Sequence, residues 1–114
     1  LNIEIEIIAP IQHQILELSN SYSLIINSTS VGMNNSNSII KKAFFNKNMV
    51  VFDMVYSPMM TKFLIDAKNQ GSKIIQGYKM LISQAIYSFY LFTNKNIGSK
   101  LLEETILKYI SENK

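Results

Sequence analysis

Apolar and polar positions alternate along this chain with two different periods. Ile3-Glu4-Ile5-Glu6-Ile7-Ile8 alternates apolar and charged before turning fully apolar, the pattern of a strand with one solvated face. Pro10 suits the first turn of a helix, and Ile11, Ile15 and Leu18 follow at helical spacing to about Ser19. Tyr22-Ser23-Leu24-Ile25-Ile26-Asn27 reads as a second strand, apolar enough to be buried on both faces, as strands of parallel sheets are. A polar loop leads to the apolar stretch 39–45, which reads as one or two helical turns. Residues 49–56 form a third strand, apolar except for Asp53. Ser57-Pro58 ends it, because proline cannot continue a ladder. Met60, Phe63, Leu64 and Ala67 predict a helix over 61–70, closed by Gly71. Residues 72–76 form a fourth strand feeding Gly77. Met80, Leu81, Ala85, Phe89 and Phe92 then predict a long helix to Thr93. After a turn, Ser99 stands where it can cap a last helix, whose stripe is Leu102, Ile106, Tyr109 and Ile110. Glu104 and Lys108 are spaced for an ion pair on it.

Strands alternating with helices predict a layered α/β unit around a parallel sheet. The 114 residues suffice for one domain, and with 47% hydrophobic and 17% charged residues the chain is globular rather than disordered. The net charge of +3 comes from scattered lysines without a single arginine, which argues against a nucleic-acid partner. The apolar runs are too short to span a bilayer, so no membrane partner is expected. Cysteine is absent, which removes disulfides and thiolate metal sites and makes a cytoplasmic setting the default expectation. The first residue is Leu, which suggests a piece cut from a longer chain, and a missing or processed start would look the same.

No self-contained catalytic motif is present: there is no GxGxxG, Walker loop, HExxH or GxSxG. His13, the single histidine, has no carboxylate, Ser or Cys beside it that would suggest a triad. No metal site is expected. What stands out is a set of loops that each follow an apolar strand. The first is Asn27-Ser28-Thr29-Ser30-Val31-Gly32-Met33, either a ligand loop or an ordinary Asx or Ser/Thr turn. The second runs from Asp53 to Tyr56. A buried aspartate there needs hydrogen-bond partners and orders a loop more readily than it does chemistry. Tyr56, with an apolar body and a hydroxyl tip, suits a site wall or a core edge equally. The third is the turn at Gly77, a residue able to adopt a backbone conformation closed to others and to admit a close ligand. Gln84, two helical turns further on, is either a hook for hydroxyl groups or a surface glutamine. In a parallel sheet all three loops lie at one edge, which argues for half a binding site.

Ile26-Asn27-Ser28-Thr29-Ser30-Val31-Gly32-Met33 resembles the "INATPLGM"-type signature of shikimate dehydrogenases. Phe52-Asp53-Met54-Val55-Tyr56-Ser57-Pro58 is similar to that family's "DMVYNP", Gln76 to Ala85 to its "DGLGMLVxQA", and Phe92-Thr93-Asn94 to its "WTG". The motifs occur in the family's order and cover nearly all of the chain from Tyr22 on. The resemblance implies a partial Rossmann-like parallel sheet with helices on its faces and a C-terminal helical segment. Residues 1–93 would be the C-terminal half of a Rossmann-type cofactor-binding domain, and 94–114 the C-terminal helix. It implies oxidation of the 3-hydroxyl of shikimate to 3-dehydroshikimate with NADP, run in the reducing direction during chorismate synthesis. Tyr56 and Gln84 would touch shikimate. Met54 and Gly77 would contact the nicotinamide end of NADP, and Asn27, Ser28 and Thr29 would lie along the cofactor.

The family's catalytic Lys and Asp belong to an N-terminal substrate domain, and its Gly-rich phosphate loop precedes residues 3–8; neither is in this sequence. The missing N-terminal domain of the same enzyme is therefore an expected partner, and the fragment alone is expected to be inactive. Lys79 replaces a usual glycine and is expected either to narrow the approach to the nicotinamide or to offer a cation near it. Asn94 replaces a helix-ending glycine, which asparagine can do. Without the preceding strands, residues 3–8 and 22–27 would expose apolar edges, and 3–8 would be displaced, disordered or re-paired with 24–26. Two other readings stay open: a quinate/shikimate dehydrogenase relative, and a non-enzymatic truncated remnant or interaction module. The oligomeric state, a homo-oligomer included, is also left open.

Overall fold

The computed structural model describes residues 21–112. The expected strand at 3–8 and helix at 10–19 lie outside them. Within them the order is β1 (Leu24–Asn27), a 3₁₀ turn (Lys42–Phe44), β2 (Val50–Asp53), α1 (Lys62–Asn69), β3 (Lys73–Ile75), α2 (Gly77–Thr93) and α3 (Ser99–Glu112). The strands form one parallel sheet in the order β1-β2-β3. Asn27 pairs with Asp53 and Phe52 with Ile75, so the carboxyl ends of all three strands lie at one edge. This is the α/β architecture the sequence implies.

One face of the sheet carries the core. Val51 is buried beneath Phe63, Leu64 and Ala67 of α1, with Phe44, Phe45 and Met49 closing the side, and Ile25 and Ile74 packing against them. Phe45 meets Phe63 edge-on at 5.4 Å between centroids, a favoured aromatic geometry. The stretch 39–45 makes only the 3₁₀ turn, because its task is to drive Phe44 and Phe45 into this core.

β1 departs from expectation. Leu24 and Ile26 are 54% and 47% exposed, so the strand is buried on one face and not both. It is the edge of the described sheet, and α1 and the two phenylalanines cover only the face toward Ile25. β2 is shorter than its apolar run: it stops at Asp53, whose carboxylate takes the Val55 N–H that a longer ladder would have used.

Thr61 caps α1, its hydroxyl accepting from Leu64 N–H, and Gly71 closes the helix region at φ 82°. Asn94 ends α2 in the left-handed conformation at φ 53°, donating its N–H to Tyr90. α3 starts one residue differently from expectation. Gly98 accepts the first helical bond, from Leu102 N–H, and so occupies the cap position in place of Ser99. Of its stripe, Ile110 is buried while Tyr109 is 67% exposed. Lys108 lies 3.9 Å from Glu112, one turn onward, rather than pairing with Glu104. Among the described residues no helix is long and apolar enough to cross a membrane.

Candidate functional site

The carboxyl edge of the sheet is built on two fully buried polar side chains, Asn27 and Asp53. They end neighbouring strands in register, and the amide of Asn27 donates to Asp53 Oδ1 at 3.0 Å. The second N–H of Asn27 reaches Val31 O at 3.1 Å, and its Oδ1 accepts from the backbone and hydroxyl of Thr29 at 3.0 and 2.7 Å. Every donor and lone pair of that amide is therefore engaged, and it folds the loop after β1 into a tight polar turn. Gly32 completes the turn at φ 97°, where a Cβ would come within 3.2 Å of the Thr61 side chain.

Asp53 organises the second loop. Its Oδ1 also accepts from Val55 N–H at 3.0 Å, and its Oδ2 accepts from the buried hydroxyl of Thr61 at 2.5 Å. Met54 N–H donates to Asn27 O at 3.0 Å. Asp53 and Val55 point inward, and the residues between and after them, Met54 and Tyr56, stand outward at 38% and 41% exposure.

Gly77 opens α2 directly beneath this loop. A Cβ there would lie 2.6 Å from Val55 O and 2.7 Å from the carbonyls of Asp53 and Met54. Its φ is ordinary, so glycine is required by the close approach of the second loop rather than by conformational freedom. Gln76 braces the same junction by donating to Met59 O at 3.1 Å. Gln84 is exposed on α2, about 10 Å further along the axis. The edge thus brings Asn27, Ser28, Thr29, Met54, Tyr56 and Gly77 together, with Gln84 two turns out. Ser28 and Thr29 are exposed while Asn27 is buried, so the accessible part of the first loop is its tip. Lys79 lines a shallow cavity with Ile82 and with Glu103 of α3, and helical rotation sets it about 140° round α2 from Gln84.

The roles of Thr61 and Gln76 are not apparent in the sequence. A threonine before an apolar run is a helix-start signal, but nothing local shows that its hydroxyl also holds an aspartate eight residues earlier.

No family model matches the chain. A shikimate dehydrogenase (NADP(+)) of Nitrosopumilus maritimus is 36% identical over 94 residues, 82% of this chain and 34% of that protein. Among solved structures, a shikimate dehydrogenase in complex with NADP+ superposes with a TM-score of 0.76 at 32% identity, covering 80% of this chain and 33% of that one. A quinate dehydrogenase from Corynebacterium glutamicum in complex with NAD superposes at 0.74 with 27% identity, over 80% and 34%. The chain spans about a third of the length of the relatives it matches. Over that shared third, the chain belongs to the shikimate dehydrogenase family.

Proposed function

We propose that the chain is the C-terminal part of the NADP-binding half of a shikimate dehydrogenase, which interconverts 3-dehydroshikimate and shikimate in a cytoplasmic chorismate pathway. The segment from residue 94 on, which carries α3 over Ser99–Glu112, is its C-terminal helical segment. The observation that carries this reading is the single edge at which the two polar loops and the start of α2 meet, with their buried members locked and their ligand-facing members exposed.

The residues present fit one end of a dinucleotide. Met54 offers an exposed apolar surface beside the start of α2, where a flat ring can lie. Ser28 and Thr29 offer the exposed polar tip that runs alongside. The cofactor, when bound, supplies the hydride acceptor or donor. The chain's own residues bind and orient. The Tyr56 hydroxyl and the Gln84 amide hydrogen-bond ring hydroxyls of the substrate, and Asn27 keeps the first loop in shape. The proton is handled by groups of the substrate domain, which is this chain's partner in the whole enzyme.

The quinate dehydrogenase likeness at 27% identity supports a second reading, in which quinate replaces shikimate and NAD replaces NADP. One experiment separates them. The protein expressed from its complete gene is assayed by NAD(P)H absorbance with each substrate and each cofactor. Preferred oxidation of shikimate with NADP+ is expected. Tyr56→Phe and Gln84→Ala should each raise the substrate KM about five- to tenfold, the worth of one hydrogen bond. Oxidation of neither substrate refutes the proposal.

A further inference from the structure

We propose that Thr61 is a positioning residue for the ligand-facing loop: acting through Asp53, it sets the direction in which Met54 and Tyr56 leave the sheet edge. Thr61 is only 1% exposed. Its hydroxyl has two tasks. As an acceptor it caps α1 through Leu64 N–H at 3.3 Å. As a donor it holds Asp53 Oδ2. The other carboxylate oxygen takes Asn27 Nδ2 and Val55 N–H, both at 3.0 Å. One hydroxyl therefore ties the position of α1 to the loop that follows β2.

The loop's geometry explains why this tie has a functional consequence. Inward and outward residues alternate from Asp53 to Tyr56: Asp53 and Val55 are buried, Met54 and Tyr56 exposed. Holding Asp53 Oδ1 against Val55 N–H fixes the backbone on both sides of Met54. The carbonyls of Asp53, Met54 and Val55 leave no space for a side chain at Gly77, so the loop lies close against the start of α2. From the other side, the methyl and Cβ of Thr61 sit against Gly32, which ties the first loop to the same threonine. A buried, fully bonded polar cluster is an expensive way to end two strands where apolar residues would pack. It gives the loop one geometry in place of several, which is what a ligand site needs from the residues behind it.

The inference rests on the proposed function for the ligands it names, while the loop's dependence on Thr61 does not. The test therefore has two readouts. The protein expressed from its complete gene is labelled at its methionine methyls, and the Met54 signal is assigned by Met54→Leu. Thr61→Val, which keeps the shape and removes the hydroxyl, should shift or broaden the Met54 methyl signal. It should also lower kcat/KM for shikimate by about 10- to 100-fold, mostly through KM, the cost of a misplacement on the order of 1 Å. Thr61→Ser restores the hydroxyl and should bring both readouts back to within about threefold of wild type. If Thr61→Val does not fold, Asp53→Asn replaces the acceptor facing Thr61 with a donor and is expected to move the same two readouts. Unchanged Met54 signal and KM in a folded but less stable Thr61→Val protein overturn the inference. So does a Thr61→Ser protein as perturbed as Thr61→Val, since the methyl rather than the hydroxyl would then hold the loop. If the wild-type protein oxidises neither shikimate nor quinate, the proposed function falls, and the Met54 signal alone decides this inference.

Discussion

Gly77→Ala isolates the physics of the sheet edge in one methyl group. The added Cβ would stand 2.6 Å from Val55 O and 2.7 Å from two further carbonyls, whereas ordinary contact begins near 3.4 Å. The obstructing atoms are backbone oxygens and cannot rotate away. The loop must retreat by about 0.8 Å, a distance at which packing and oriented binding are both lost. Overpacking of this kind costs about 1–3 kcal/mol, against a helix-propensity gain from alanine of about 1 kcal/mol at most. We expect a net loss of about 1–2 kcal/mol in denaturant unfolding and a fall in shikimate and NADP+ affinity of about tenfold or more. Gly71→Ala is the control. Gly71 sits at φ 82° with a Cβ there 3.5 Å from its nearest neighbour, so alanine is strained by conformation alone, and it precedes β3 at the end of the sheet opposite the carboxyl edge. It should lose about 1–2 kcal/mol and keep wild-type affinity. A Gly77→Ala protein as stable and as tightly binding as wild type would refute the argument that glycine is required by the loop above it.

Three other outcomes follow from the same contacts. Asn27→Asp removes both N–H donors and sets a second carboxylate within hydrogen-bond distance of Asp53. Thermal unfolding should show a loss of about 3–5 kcal/mol at neutral pH. That deficit should shrink as the pH is lowered, because the like-charged pair favours a protonated carboxyl in the folded state; a deficit independent of pH would count against it. Phe45→Ala, in the core against Phe63, should cost about 3–5 kcal/mol, while Phe92→Ala, at 89% exposure, should stay within about 0.5 kcal/mol, both read from denaturant midpoints. The 114-residue chain by itself should form no NADPH from shikimate and NADP+, and robust turnover would place a proton-transfer group among residues assigned here only to binding.

How far the chain could be read from its residues differs element by element. α1 matches its expected span to within a residue and α2 ends where expected, because these ends carry local signals: Thr61 and Gly71 for one, Asn94 for the other. The three strands were legible as apolar runs but not in their ends or faces. β2 stops early because Asp53 turns its carboxylate onto the next amide, and Leu24 and Ile26 are half exposed because α1 lies on one side of the sheet only. Lys79 lines a shallow cavity with Ile82 and with Glu103 of α3, a neighbour from another element that its own stretch of sequence does not reveal.

The order of the elements, the parallel sheet and the set of loops at its carboxyl edge are properties of the sequence by itself, since periodicity and turn residues act over a few positions and the motifs sit within single loops. What joins those loops required the tertiary structure. The Thr61–Asp53–Asn27 chain spans three elements, and the constraint on Gly77 comes from carbonyls more than twenty residues earlier. Both are contacts between groups that meet only when the sheet has formed. A hydroxyl, a carboxylate and an amide are each unremarkable in their own stretch of sequence, and their joint burial without an unsatisfied partner is a property of the assembled edge.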